Sequence, residues 1–155
     1  MTPLGATLFN LQQNLVRAGH SLDYVLFGST PLIMRVILER EPGDVDVFVS
    51  KHIWGALLAV EGWEVETPRA GDPPILVAHL PLPTHLFYEW RDEFAYMDAA
   101  ELIRNAETVN GWRCVSVEEA LRVKEAAWEA RFDYPPVLKH GPDIEKIKAW
   151  LAANR

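Results

Sequence analysis

Asp44 and Asp46 stand two residues apart in the run Asp44-Val45-Asp46-Val47-Phe48-Val49. In an extended strand residues i and i+2 point to the same side, roughly 6.5 to 7 Å apart at Cα, so the spacing predicts two carboxylates on one face and Val45, Val47 and Val49 on the other. The valine face calls for a core. The aspartate face carries like charges that repel unless something positive sits between them, and a divalent cation with hard oxygen ligands meets that need. Acidic and apolar alternation also describes a half-buried strand with a solvated outer face, so the surroundings of the pair decide between the two.

Upstream, the apolar run Tyr24-Val25-Leu26-Phe27 ends at Gly28-Ser29. This reads as a strand that turns at glycine into a helix, with Ser29 or Thr30 as N-cap, Pro31 in the first turn, and Leu32, Ile33, Val36 and Ile37 at helical spacing. Such a corner offers backbone N–H groups to an anion, and a glycine without Cβ lets a phosphate approach closely. A phosphate cradle and a carboxylate pair are thus expected on adjacent elements.

Gly28-Ser29 followed, after fourteen intervening residues, by Asp44-Val45-Asp46-Val47 resembles the glycine-serine plus paired-aspartate signature of the nucleotidyltransferase (DNA polymerase β-like) superfamily, particularly its minimal and abortive-infection-toxin-like members. Arg40 matches a basic residue common before the pair. The succession Ser116-Val117-Glu118-Glu119-Ala120-Leu121, Lys124, Arg131, Lys139-His140 and Asp143-Ile144 is similar to the C-terminal helices of that family, so the resemblance spans most of residues 22–151.

The resemblance implies an α/β (α+β) fold, a small mixed β-sheet flanked by helices. It implies Mg²⁺-dependent transfer of a nucleotide from an NTP, ATP included, to a hydroxyl on a protein, an RNA 3' end or a small molecule, in a toxin–antitoxin setting. Asp44 and Asp46 are then metal ligands and catalytic carboxylates, while Gly28, Ser29, Arg40 and Lys124 hold the nucleotide. A third carboxylate on a later strand completes the family's site. Glu89 has the right chemistry, although it lies two pleats, about 13 Å, beyond the position that the local pattern favours. That position holds His85, and histidine is a poor Mg²⁺ ligand. Glu89 is the expected catalytic residue and His85 the alternative; if neither serves, the chain is a catalytically silent module that acts through a protein partner. A third reading, a tRNA-directed toxin, requires a basic groove built from Arg35, Arg40, Lys51, Arg69 and Lys124.

The elements that must position these residues fit one domain over residues 1–155, with a core of about 22–115 and C-terminal helices over about 116–153. Fifteen basic against twenty-two acidic side chains give a net charge of -7, which argues against a broad nucleic-acid-binding surface. A single cysteine, Cys114, excludes an internal disulfide framework and reads as a buried strand thiol. No membrane-length apolar stretch and no leader pattern occurs, so a cytoplasmic location is expected. P-loop, dinucleotide-binding glycine, zinc and nucleophile-elbow motifs are all missing from the sequence.

Leu4, Leu8, Leu11, Leu15 and Val16 predict an amphipathic helix over 3–18 closed by Gly19. A second packing helix is expected around Ile53, Trp54, Leu57, Leu58 and Val60, followed by a short strand at 63–66 and a loop over 67–74. Residues 75–80 and 84–90 read as strands separated by Pro81-Leu82-Pro83. Asp98 caps a short helix to Arg104, and Asn110-Gly111 interrupts a hairpin or edge strand over 109–115. Ser116 and Glu119 form a capping box for a helix that Pro135-Pro136 bring to an end, and a last helix starts at Pro142 or Asp143. Lys139, His140 and Asp143 read as a structural ion-pair cluster joining those two helices.

Overall fold

The computed structural model describes residues 2–19, 22–67, 73–91, 96–131 and 140–154. Helix α1 (Pro3–Arg17) starts as its sequence dictates: the Thr2 hydroxyl accepts from the Gly5 N–H at 3.0 Å, and Pro3 occupies a first turn where no N–H is needed. Next come β1 (Tyr24–Phe27), α2 (Thr30–Met34), β2 (Val45–Val49) and α3 (Lys51–Leu58), the last capped by the Ser50 hydroxyl. Strands β3 (Glu64–Glu66), β4 (Ile75–His79), β5 (Pro83–Phe87), β6 (Glu89–Arg91) and β7 (Tyr96–Asp98) lead to α4 (Ala99–Arg104). A hairpin of β8 (Glu107–Val109) and β9 (Trp112–Cys114), then α5 (Val117–Arg131) and α6 (His140–Ala153), complete the chain.

Seven strands form one mixed sheet in the order β3-β4-β5-β2-β1-β9-β8. Strand β2 lies between antiparallel β1 and parallel β5. All four residues of β1 are buried, as befits a central strand with helices on both faces. Its alternation sends Tyr24 and Leu26 into a core shared with α1, α3 and the valine face of β2, while Val25 and Phe27 enter a second core with Leu32, Phe48, Leu102, Val123, Ile147 and Leu151. Asp46 shares the side of Phe48, so the carboxylates face α5 and α6 and the valines face α1, as the period-2 pattern requires.

Several start and stop signals act as read. Ser116 and Glu119 exchange two hydrogen bonds of 3.1 Å at the head of α5, Asp98 accepts from the Ala100 N–H at 2.7 Å, and Asn110-Gly111 turn the β8–β9 hairpin with both φ angles positive. Helix α6 begins at His140, ahead of the predicted Pro142 or Asp143. The stop at Pro135-Pro136 lies outside the described residues, as does Lys139.

Two expectations are corrected. The helix after Ser29 does not run on through Val36 and Ile37 but stops at Met34. The Ile37 N–H bonds to the Leu32 carbonyl at 2.9 Å and the Val36 N–H to the Ile33 carbonyl at 3.0 Å, with Val36 left-handed at φ +61 between them. This is a Schellman stop with valine where glycine is usual, so residue type gave no sign of it. Residues 84–90 do not form one strand either. Strand β5 ends at Phe87, and Glu89 opens β6, which leaves the main sheet to pair with β7, Glu89 opposite Asp98. No helix among the described residues is long and apolar enough to cross a membrane.

Candidate functional site

Parallel pairing of β2 with β5 places Asp46 opposite His85, and antiparallel pairing with β1 places Asp46 opposite Phe27. His85 Nδ1 lies 2.9 Å from Asp46 Oδ1 and 3.9 Å from Asp44 Oδ2. One ligand atom from each of Asp44, Asp46 and His85 falls within 4.8 Å of the others, a separation that one cation can span. The hydrogen bond to Asp46 raises the His85 pKa above its ordinary value; burial opposes this, and the charges of Asp46, Asp44 and Glu66 add to it. Two residues beyond Asp46 and His85 along β2 and β5, Phe48 and Phe87 pack with Phe27 in an aromatic cluster with ring centroids 4.3 to 5.8 Å apart.

Gly28 is required here for two reasons. Its φ is +70, and a Cβ would stand 2.8 Å from Asp46 Oδ2. The glycine corner and the carboxylate are therefore in direct juxtaposition. Ser29 follows as the residue before α2, but its hydroxyl does not cap that helix. It receives hydrogen bonds from Arg40 Nη2 at 2.9 Å and Lys124 Nζ at 3.1 Å. With two cations on its oxygen lone pairs, the hydroxyl hydrogen is what Ser29 can offer a ligand.

Arg40 and Lys124 are both held by Asp143 of α6. Arg40 Nη1 and Nη2 reach the two carboxylate oxygens at 2.7 and 2.8 Å, and Lys124 Nζ reaches Oδ2 at 3.2 Å. The Lys124 side chain is 2% exposed and that of Asp143 is 3% exposed, so this is a buried ion pair with a bidentate arginine. Burial pushes the Asp143 carboxyl up, and Arg40 and Lys124 together outweigh it and hold the group below the usual carboxylate value. The same hydrogen bond from Arg40 to Asp143 raises the arginine's pKa against its own partial burial.

The site residues read from sequence thus divide. The structure brings Gly28, Ser29, Arg40, Asp44, Asp46, His85 and Lys124 to one side of the sheet. It does not bring Glu89 into the Asp44–Asp46 group; Glu89 lines a separate cleft with Ser50, Lys51, Tyr88 and Asp98, where β2 has already ended. Arg35 is spent on structure, donating to the Val115 carbonyl at 2.9 Å and to Glu107 at 2.8 Å. Lys51 sits over the Tyr88 ring, 5.5 Å from its centroid. Cys114 is buried and its thiol is pushed up to about 11, which leaves it inert.

Asp143 is the residue that sequence reasoning misplaced. It joins a node with Arg40 and Lys124; the expected cluster with Lys139 and His140 lies outside the described side chains. The available signal was its position four residues before Ile147 and eight before Leu151, on the buried stripe of α6, where a carboxylate must have a cationic partner.

The glycine-serine corner, the paired carboxylates of the neighbouring antiparallel strand and the helices that close over them define a nucleotidyltransferase-like fold. Two solved structures match nearly the whole chain. One is the solution structure of the antibiotic-resistance factor ANT(2'')-Ia, at 17% identity over 99% of this chain and 88% of that one, with a TM-score of 0.65. The other is the crystal structure of ANT(2'')-Ia in complex with adenylyl-2''-tobramycin, at 17% identity over 97% and 91%, with a TM-score of 0.60. At such identity the likeness is one of fold. No family model and no curated protein matches the chain.

Proposed function

We propose that the chain transfers a nucleotidyl group from a nucleoside triphosphate to a hydroxyl of a small-molecule acceptor, with a divalent cation held by Asp44 and Asp46. The observation that carries this reading is the contact geometry at Gly28: the Ser29–Arg40–Lys124 node follows a left-handed glycine at which a Cβ would stand 2.8 Å from the Asp46 carboxylate. The donor set suits a dication, since two carboxylates and an imidazole converge within coordinating range. When bound, the ion supplies charge neutralisation on the triphosphate and acidification of the attacking hydroxyl.

The chain's own residues do the positioning. Ser29 presents its hydroxyl hydrogen to a phosphate oxygen, while Arg40 and Lys124 place positive charge behind it. The acceptor oxygen forms its bond to the α-phosphorus as the bond from that phosphorus to the bridging oxygen breaks, and pyrophosphate leaves. The hydroxyl proton would pass to solvent at Asp44, whose side chain is 46% exposed. A small-molecule acceptor is favoured because the matching fold has been solved with adenylyl-2''-tobramycin. Against the rival tRNA groove, Arg35 bonds the Val115 carbonyl and Glu107 and Lys51 sits over the Tyr88 ring; Arg69 lies outside the described residues.

The test is incubation with labelled NTPs, a divalent cation and a panel of hydroxylated acceptors, aminoglycosides among them. Asp46→Asn should lower transfer by about a thousand-fold, the scale of several kcal/mol of lost charge stabilisation. Equal labelling by wild type and variant removes the mechanism. A folded protein with no cation-dependent NTP affinity in calorimetry would instead be the silent, partner-binding module.

A further inference from the structure

The strand register sets an imidazole, not a carboxylate, beside the aspartate pair. His85 cannot drift from that place without dragging Leu86, which is fully buried in the opposite core, and Asp46 already engages its Nδ1 at 2.9 Å. The ligand set is therefore two carboxylate oxygens and one ring nitrogen, where the family resemblance implies three carboxylates. That exchange removes one negative charge and replaces a hard donor with a borderline one. Mg²⁺ is small, holds its water tightly and takes oxygen ligands; Mn²⁺, Co²⁺ and Zn²⁺ accept imidazole beside carboxylate.

We infer that the Asp44–Asp46–His85 site selects a transition-metal dication over Mg²⁺, with a His85 ring nitrogen as a direct ligand. This rests on the reading of Asp44 and Asp46 as a cation site and deepens it. The discriminating measurement is pulsed electron paramagnetic resonance of Mn²⁺ added to the full chain, alongside calorimetric titrations with Mn²⁺ and with Mg²⁺. Wild type should show nitrogen coupling from a coordinated imidazole and bind Mn²⁺ more tightly than Mg²⁺. In His85→Asp the coupling should vanish and the ratio of the two dissociation constants should fall by about ten-fold, as an all-oxygen set regains affinity for Mg²⁺. His85→Gln, which adds no negative charge, provides the same loss of coupling if the aspartate variant fails to fold.

Mn²⁺ bound through Asp46 without nitrogen coupling, and with an affinity ratio unchanged in His85→Asp, overturns the inference and leaves the proposed function standing. If Mn²⁺ binds no better to wild type than to Asp46→Asn, both fall together.

Discussion

The two halves of the site handle charge in opposite ways. Around Ser29, the cations Arg40 and Lys124 bring their own counter-ion, since Asp143 is buried against both and joins β1's corner, the loop before β2, α5 and α6. Around Asp46, two carboxylates share one imidazole and stay accessible, with Asp44 46% and Asp46 24% exposed. A buried pair of this kind holds geometry, because each partner is costly to leave alone in a low dielectric. An accessible excess of acid does the reverse and leaves a position for a positive ligand. On the proposed function, one half would be scaffold for a phosphate site and the other the ligand set for a cation.

The sharpest way to break that contrast is Asp143→Ala. It removes the Asp143 carboxylate from the buried Lys124 and should cost about 3 kcal/mol in denaturant unfolding, with Asp46 untouched. A loss below about 1 kcal/mol would put the node in the class of solvent-screened pairs. The pH dependence has a defined sign. Asp143 titrates lower in the folded chain than when unfolded, so its contribution is complete above the unfolded carboxylate value and is lost as pH falls through the folded one. Asp143→Asn should accordingly flatten the acid limb of a stability-against-pH curve.

Gly28→Ala probes the other half. The left-handed backbone should cost about 1 to 2 kcal/mol, and the new methyl must displace the Asp46 carboxylate that it meets at 2.8 Å. Cation affinity should fall in calorimetry even where the variant is folded. Undiminished affinity would mean that the carboxylate position is not what the cation needs.

The smallest effect is expected at Val36, which is 68% exposed and left-handed at the end of α2. Val36→Gly should stabilise the chain by about 1 kcal/mol and leave cation affinity unchanged, which a thermal melt and a titration can check.

What could be read from sequence follows the range of the interaction concerned. Carboxylate facing at 44 and 46, the capping box at Ser116 and the Asn110-Gly111 turn are properties of a few neighbouring residues, and each has its signal on the spot. The departure of Glu89 into a second ladder depends on pairing with β7, a partner that alternation cannot name. Arg40 and Asp143 are 103 positions apart, so their pairing was legible only as a charge out of place on the inner stripe of α6. The early stop of α2 was hidden because valine stands where the stop usually has glycine.

In the proposed mechanism the triphosphate and the carboxylate pair are linked through a cation. Calorimetry of a nonhydrolysable NTP should show binding to wild type that needs a divalent cation and that weakens markedly in Asp46→Asn, with the Asp143 node intact in both. NTP bound equally well without any divalent cation, and equally by the variant, would contradict it.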